Sequence, residues 1–175
     1  MSIRNLEEKL FDEWQEKLVY NLENKKIFVR DGLVDEKSYF KAPVKILYLL
    51  KEVNGGDRDW DLREYIENGG RAATWDNITR WTKGILKYKE ELEWSSLENI
   101  NEDSRKEILR YIVAVNLKKI PGGYTTDCKK IEDFLEKPSN INYLKKQISL
   151  YNPDIIICCG TGWWYSNYIE KGMKW

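Results

Sequence analysis

Three short apolar runs, each stopping at a polar or glycine-bearing loop, restrict the architectures open to this chain. They are Lys45-Ile46-Leu47-Tyr48-Leu49-Leu50 before Lys51-Glu52-Val53-Asn54-Gly55-Gly56, Tyr111-Ile112-Val113-Ala114-Val115 before Asn116-Leu117-Lys118-Lys119, and Asp154-Ile155-Ile156-Ile157-Cys158-Cys159 before Gly160-Thr161-Gly162. Runs of this length without polar alternation read as strands buried on both faces, which predicts a parallel sheet covered by helices. In such sheets the loops after the carboxyl ends of the strands line the ligand crevice. Glu52, Asn54, Asn116, Lys118, Lys119 and Thr161 are therefore expected to converge although they lie far apart in sequence.

The intervening segments supply the helices. Residues 3–24 set Ile3, Leu6, Leu10, Trp14, Leu18 and Leu22 at helical spacing among charges, an amphipathic helix for one face of the sheet. Residues 38–43 read as a connector, with Pro43 entering the first strand. A short helix over 62–67 ends at Asn68-Gly69-Gly70. The next, capped by Thr74 or Asp76, carries Trp75, Ile78, Trp81, Ile85 and Leu86 on one face. Residues 88–104 are a charged surface excursion, and a helix over 104–110 leads into the second strand. Pro121-Gly122-Gly123 breaks the chain, and 124–139 reads as an irregular loop with one helical turn. A helix over 140–150 feeds the third strand, and another opens near Gly162. With no repeat, low-complexity tract or linker, residues 1–175 are expected to form one domain, a three-layer α/β/α unit around a short central parallel sheet.

Composition narrows the chemistry. Twenty-nine basic residues balance 29 acidic ones, which argues against a uniformly basic nucleic-acid binder while leaving room for a local patch. The chain has no histidine, which excludes a Ser–His–Asp triad, a Cys–His pair and a histidine-ligated metal within it. Acid–base work then falls to carboxylate, lysine, tyrosine or bound water. Cys128, Cys158 and Cys159 lack the paired spacing of a metal site, so neither metal nor cofactor is expected. Two adjacent cysteines in a buried strand read as reduced core residues of a cytoplasmic protein. No stretch approaches the ~20 apolar residues of a membrane span, and the N-terminus is too charged for a signal peptide.

Each strand-end loop admits a chemical and a structural reading. Glu52 suits a general base or water-orienting group, or else an edge carboxylate satisfied by a helix N-terminus or a lysine such as Lys51. Asn116 offers the paired donor and acceptor that reads a nucleobase edge, or it caps a turn. Lys118, Lys119 and the backbone of Gly122 and Gly123 suit a phosphate, or the lysines are simply solvated. Gly160-Thr161-Gly162 presents amides to an anion or packs helix on strand, and it lacks both the dinucleotide fingerprint and the Walker lysine. Trp60, Trp75, Trp81, Trp163 and Trp164 serve either as core and rim packing or as a stacking platform for bases.

Taken in order, these segments resemble the uracil-DNA glycosylase-like superfamily over roughly residues 44–168. Leu49-Leu50-Lys51-Glu52-Val53-Asn54-Gly55 is similar to its first motif, a strand followed by a Gly-x-x-Pro-like loop that holds the attacking water. Thr74-Trp75-Asp76-Asn77-Ile78 resembles its Ser-Leu-x-Asn-Ile helix start. Val113-Ala114-Val115-Asn116-Leu117 resembles the strand whose terminal Asn recognises the extruded base. Leu144, Gln147, Ile148, Pro153, Asp154-Ile155-Ile156-Ile157 and Gly160 are similar to its helix–Pro–strand–Gly segment. The resemblance implies hydrolysis of the N-glycosidic bond of a damaged base, such as uracil, flipped out of DNA. Glu52 or Asn54 would hold the water. Asn116, Asn77, Trp60 and Trp75 would hold the base, and Lys118, Lys119, Gly122, Gly123, Gly160 and Thr161 the phosphates.

The sequence also departs from that pattern. Lys51 stands at the motif glycine, Asn54 at the motif proline and Val53 at the water-activating Asp or Asn. The late histidine loop, the iron–sulfur cysteines of some relatives and a fourth parallel strand after the last helix have no counterpart. The chain is thus expected as a minimal or shortened form of the fold, or one whose sheet a second copy or another partner completes. Two alternatives stand beside the glycosylase. One is a catalytically silent member that binds a nucleotide, a nucleic acid or a protein through the same crevice. The other is an unrelated flavodoxin-like domain with a small phosphorylated ligand.

Overall fold

A central strand paired on both sides organises the molecule. In the computed structural model, which describes residues 2–19, 28–55, 60–171 and 173, that strand is β2 (Ile46–Leu50). It lies parallel to β3 (Ile112–Asn116) with Leu50 opposite Asn116, and parallel to β4 (Ile155–Cys158) with Leu49 opposite Cys158. The three apolar runs are therefore adjacent, parallel and aligned at their carboxyl ends. A two-residue strand, β1 (Gly32–Leu33), adds to the far side of β3 in the antiparallel sense, giving the order β1-β3-β2-β4. The sheet is thus mixed rather than purely parallel. Two residues around a glycine carry no periodicity from which a strand could be read.

Helices cover both faces, which is why β2 and β3 show no polar alternation. On one face Leu47, Leu49, Val113 and Val115 pack against Leu10, Phe11 and Trp14 of α1 (Ile3–Val19) and Leu144, Ile148 and Tyr151 of α8 (Pro138–Tyr151). Ile131, Phe134 and Leu135 of α7 (Cys128–Leu135) complete that layer. On the other face Ile46, Tyr48, Ile112 and Ala114 meet Leu62 and Ile66 of α3 (Leu62–Glu67) and Trp75 and Ile78 of α4 (Ala72–Leu86). The Tyr48 hydroxyl pairs with the Thr82 hydroxyl at 2.9 Å. α8 stops where Asn152 takes a left-handed conformation (φ 45°) ahead of Pro153, which cannot continue a helix. The Asp154 carboxylate then accepts the Lys45 amide at 2.8 Å and ties the start of β4 to that of β2.

Several local expectations change. The connector expected over 38–43 overlaps the second half of α2 (Glu36–Lys41), whose N-cap Asp35 accepts the Ser38 amide at 2.7 Å. Neither Thr74 nor Asp76 caps α4, which opens two residues earlier than Thr74, at Ala72; Asp76 instead pairs with Arg105 at 2.6 Å. The charged excursion contains α5 (Trp94–Glu98), and α6 (Glu102–Ile108) passes through a tight 3₁₀ turn, Leu109–Tyr111, into β3. The supposedly irregular stretch after Gly123 contains α7. The end of the first helix, residues 20–24, lies outside the described residues. No helix among the described residues is long and apolar enough to cross a membrane.

β4 is an edge strand, so Cys158 at its end and Cys159 just after it are half-buried rather than core, and all three thiols are free. Burial pushes the Cys159 thiol up to about 11. Since the thiolate is the reactive form, brief iodoacetamide treatment at pH 8 is expected to label exposed Cys128 well before Cys159. Peptide mass spectrometry at pH 8 and pH 10 checks this, with the Cys159 rate rising between the two.

Candidate functional site

At the carboxyl edge, β2 and β3 continue pairing past their formal ends. The Leu117 amide donates to the Leu50 carbonyl at 2.9 Å and the Lys118 amide to the Lys51 carbonyl at 3.1 Å. Farther on, Gly122 N–H donates to Val53 O (2.9 Å) and Gly55 N–H to Gly122 O (3.0 Å), so the two strand-end loops form one ribbon. On the other side, Cys159 N–H and the Thr161 hydroxyl both donate to Leu49 O, at 2.9 and 2.8 Å. Glu52, Asn54, Asn116, Gly122, Gly160 and Thr161 therefore occupy one edge of the sheet, as parallel strands require.

Glu52 is the best-defined group there. Its carboxylate forms an ion pair with Lys118, both side chains being nearly enclosed at 4% and 6% exposure. Lys118 Nζ also donates to the Ile120 carbonyl at 2.8 Å. The carboxylate rests directly on Gly122, where a β-carbon would overlap both of its oxygens. That contact, rather than a turn, explains the glycine at this position. Asn54 is exposed, and its side-chain amide has no hydrogen-bond partner among the described residues. Lys51 has no carboxylate partner among the described residues, and its side chain lies against Gly160 (φ 69°) with Nζ 6.0 Å from the Trp164 ring.

Asn116 and Lys119 turn inward, to a buried polar cluster built on Asp31. One Asp31 oxygen accepts the Asn116 backbone and side-chain amides at 2.8 and 3.1 Å, and the other accepts Gln147 Nε2 at 2.8 Å. Lys119 Nζ donates to both oxygens at 2.6 and 2.7 Å and to the Asn116 carbonyl at 3.0 Å. Beside it, Glu7 accepts Leu33 N–H (2.8 Å), the Tyr151 hydroxyl (2.7 Å) and Arg63 (2.9 Å). Glu7, Asp31, Lys119, Gln147 and Tyr151 are all fully buried. Burial pushes the Glu7 carboxyl up against the opposing pull of Arg63, and lowers the Lys119 ammonium against the pull of Asp31. Opposite charge and hydrogen bonds around the ionised groups are what make enclosed charge tolerable.

These placements revise the expected roles. Lys119 does not face solvent, so it is withdrawn from phosphate binding, and the Asn116 side-chain amide is already engaged. Lys118 serves Glu52, and the Thr161 hydroxyl serves the sheet. Trp75 is core, packed over Gly70, and is unavailable for stacking a base. Asn77 is exposed and accepts from Arg80 at 2.5 Å. Gly123 is exposed with open space around it. Trp60 is half-buried, edge-on to Tyr65, and borders a cavity of about 280 Å³ with Phe28, Arg30 and Glu64.

No site role was read in the sequence for Asp31, Glu7, Gln147 or Tyr151, yet two left a signal. Glu7 interrupts the stripe Ile3, Leu10, Trp14, and Gln147 sits between Leu144 and Ile148, so each is a polar residue on an apolar helix face. Among the described residues, the fold and site define a three-layer α/β arrangement with a mixed sheet of four strands. Comparison with family models, curated proteins and solved structures found no match.

Proposed function

We propose that the carboxyl edge of the sheet is the working site and that the chain is a uracil-DNA glycosylase-like hydrolase of damaged bases in DNA. The observation that carries this reading is Glu52, an enclosed carboxylate at the end of the central strand, held between the Lys118 ammonium and the Gly122 backbone. A carboxylate held so can orient a water on the sugar C1′. As the water oxygen bonds to C1′, the C1′–N bond breaks, the base leaves with the electron pair, and Glu52 takes the water proton. The exposed side chain of Asn54 adds a second hydrogen-bonding group for that water. With Lys119 turned inward, Lys51 beside Gly160 is the cation for the DNA backbone, and Trp60 is the aromatic left for the base.

Glu52→Gln is expected to lower base release from uracil-, hypoxanthine- or xanthine-containing oligonucleotides by about 100-fold or more. Binding to an uncleavable analogue should be nearly unchanged, because the role belongs to the transition state. Single-turnover release of free base, followed by chromatography, measures it. The engagement of the Asn116 amide by Asp31 favours a second reading, a catalytically silent binder using the same crevice. Absence of release from single- and double-stranded substrates alike, with binding retained, would select that reading.

A further inference from the structure

A second concavity lies away from this edge, between α4, α5 and the edge strand β4. It has a volume of about 580 Å³ and is lined by Arg80, Trp81, Gly84, Ile85, Trp94, Leu97 and Ile157. Ile157 pairs with Tyr48 in the middle of β2, so the groove flanks the sheet rather than its carboxyl end. The volume falls in the range of small-molecule sites, roughly 300–1,000 Å³.

Three features describe what would fit. Trp81 and Trp94 are 48% and 63% exposed, and neither indole stacks on another ring among the described residues, so aromatic faces are open. Gly84 lies inside α4, where glycine is a poorer helix former than alanine. A β-carbon there meets nothing within 4 Å, so internal packing does not require it. It does leave the groove wall bare. Finally, Arg80 is the one charged residue of the lining among the described residues. Its guanidinium is held by the Leu97 carbonyl (2.8 Å), Asn77 (2.5 Å) and the Glu98 carbonyl (3.4 Å) and has no carboxylate partner among them. Three contacts leave part of its five-donor fork unused.

We infer that this groove is a binding site for a flat aromatic molecule bearing an anionic group. The ring system lies along the bare wall at Gly84 and is stacked by tryptophan, and the anion meets Arg80. The inference is independent of the glycosylase reading, since it uses neither Glu52 nor the carboxyl edge.

The test titrates the protein with 8-anilinonaphthalene-1-sulfonate and with the uncharged N-phenyl-1-naphthylamine, reading energy transfer from tryptophan. The sulfonate is expected to bind one saturable site, at least about tenfold more weakly in Gly84→Leu, which fills the wall with a better helix former. Trp94→Ala, at an exposed position outside the core, should weaken it likewise. Arg80→Gln should reduce sulfonate binding severalfold while leaving the uncharged probe unchanged, with folding checked by circular dichroism. Equal sulfonate affinity in the wild type and in both Gly84→Leu and Trp94→Ala would overturn the site. Equal affinity of the two probes for the wild type would overturn its anionic character. Sedimentation revealing a dimer that dissociates as the sulfonate binds would also overturn it, because the groove would then be a subunit contact.

Discussion

Asp31→Ala is expected to cost about 3–5 kcal/mol of folding stability, the usual penalty for removing one partner of a buried ion pair. The carboxylate receives five hydrogen bonds from Asn116, Lys119 and Gln147. Its loss would leave the Lys119 ammonium enclosed over the Phe11 and Trp14 rings, with the Asn116 carbonyl as its remaining hydrogen-bond partner. Against a typical total of roughly 5–15 kcal/mol, that is a large fraction. Urea unfolding followed by circular dichroism measures it as a fall in midpoint at constant slope. Asp31→Leu combined with Lys119→Met should be far milder than the sum of the single changes, because no charge is then stranded. Additivity of the two would refute the coupling.

Gly32→Ala is expected to lose about 3 kcal/mol or more. Gly32 has φ 120°, a conformation closed to residues with a β-carbon. That carbon would also overlap the Glu7 carboxylate and the Tyr151 hydroxyl and sit 3.3 Å from Gln147 Nε2. Strain of this kind contributes about 1–3 kcal/mol by itself, and disturbing three buried, mutually bonded side chains adds to it. Gly84→Ala is the control. Its site is helical and open, so the same change there is expected to raise stability by about 0.5–1 kcal/mol. Thermal unfolding of the two variants should therefore move in opposite directions.

The difference between those glycines illustrates what a sequence carries. An unbroken apolar run such as Ile46–Leu50 reports burial on both faces, and burial is a property each residue largely declares for itself. The strands, their parallel order and their shared carboxyl edge were legible for that reason. So were the amphipathic face of α1 and the match of the 62–67 helix to α3. Position at the edge followed from topology alone, which is why Glu52, Asn116 and Thr161 share that edge in the backbone, although the Asn116 and Thr161 side chains are taken up by the fold.

Which polar group answers which was not legible. Asn116, Lys118 and Lys119 are near neighbours in one loop, yet Lys118 finds Glu52, 66 positions away, while Asn116 and Lys119 find Asp31, 85 and 88 positions away. Hydrogen bonding is directional and short-ranged, so the choice between a solvated lysine and an enclosed one depends on where distant segments deliver a carboxylate. Residue type leaves that open. Glu7 and Gln147 marked only that something polar must be met beneath their helices. The two-residue strand β1, which carries Asp31 to its partners, has too few residues to show a pattern. Sequence alone thus determined the layers and the edge on which chemistry is proposed. Tertiary structure decided that Glu52 stays at that edge while Asn116 and Lys119 are drawn inward, because enclosed charge is tolerated only where opposite charge and hydrogen bonds meet it.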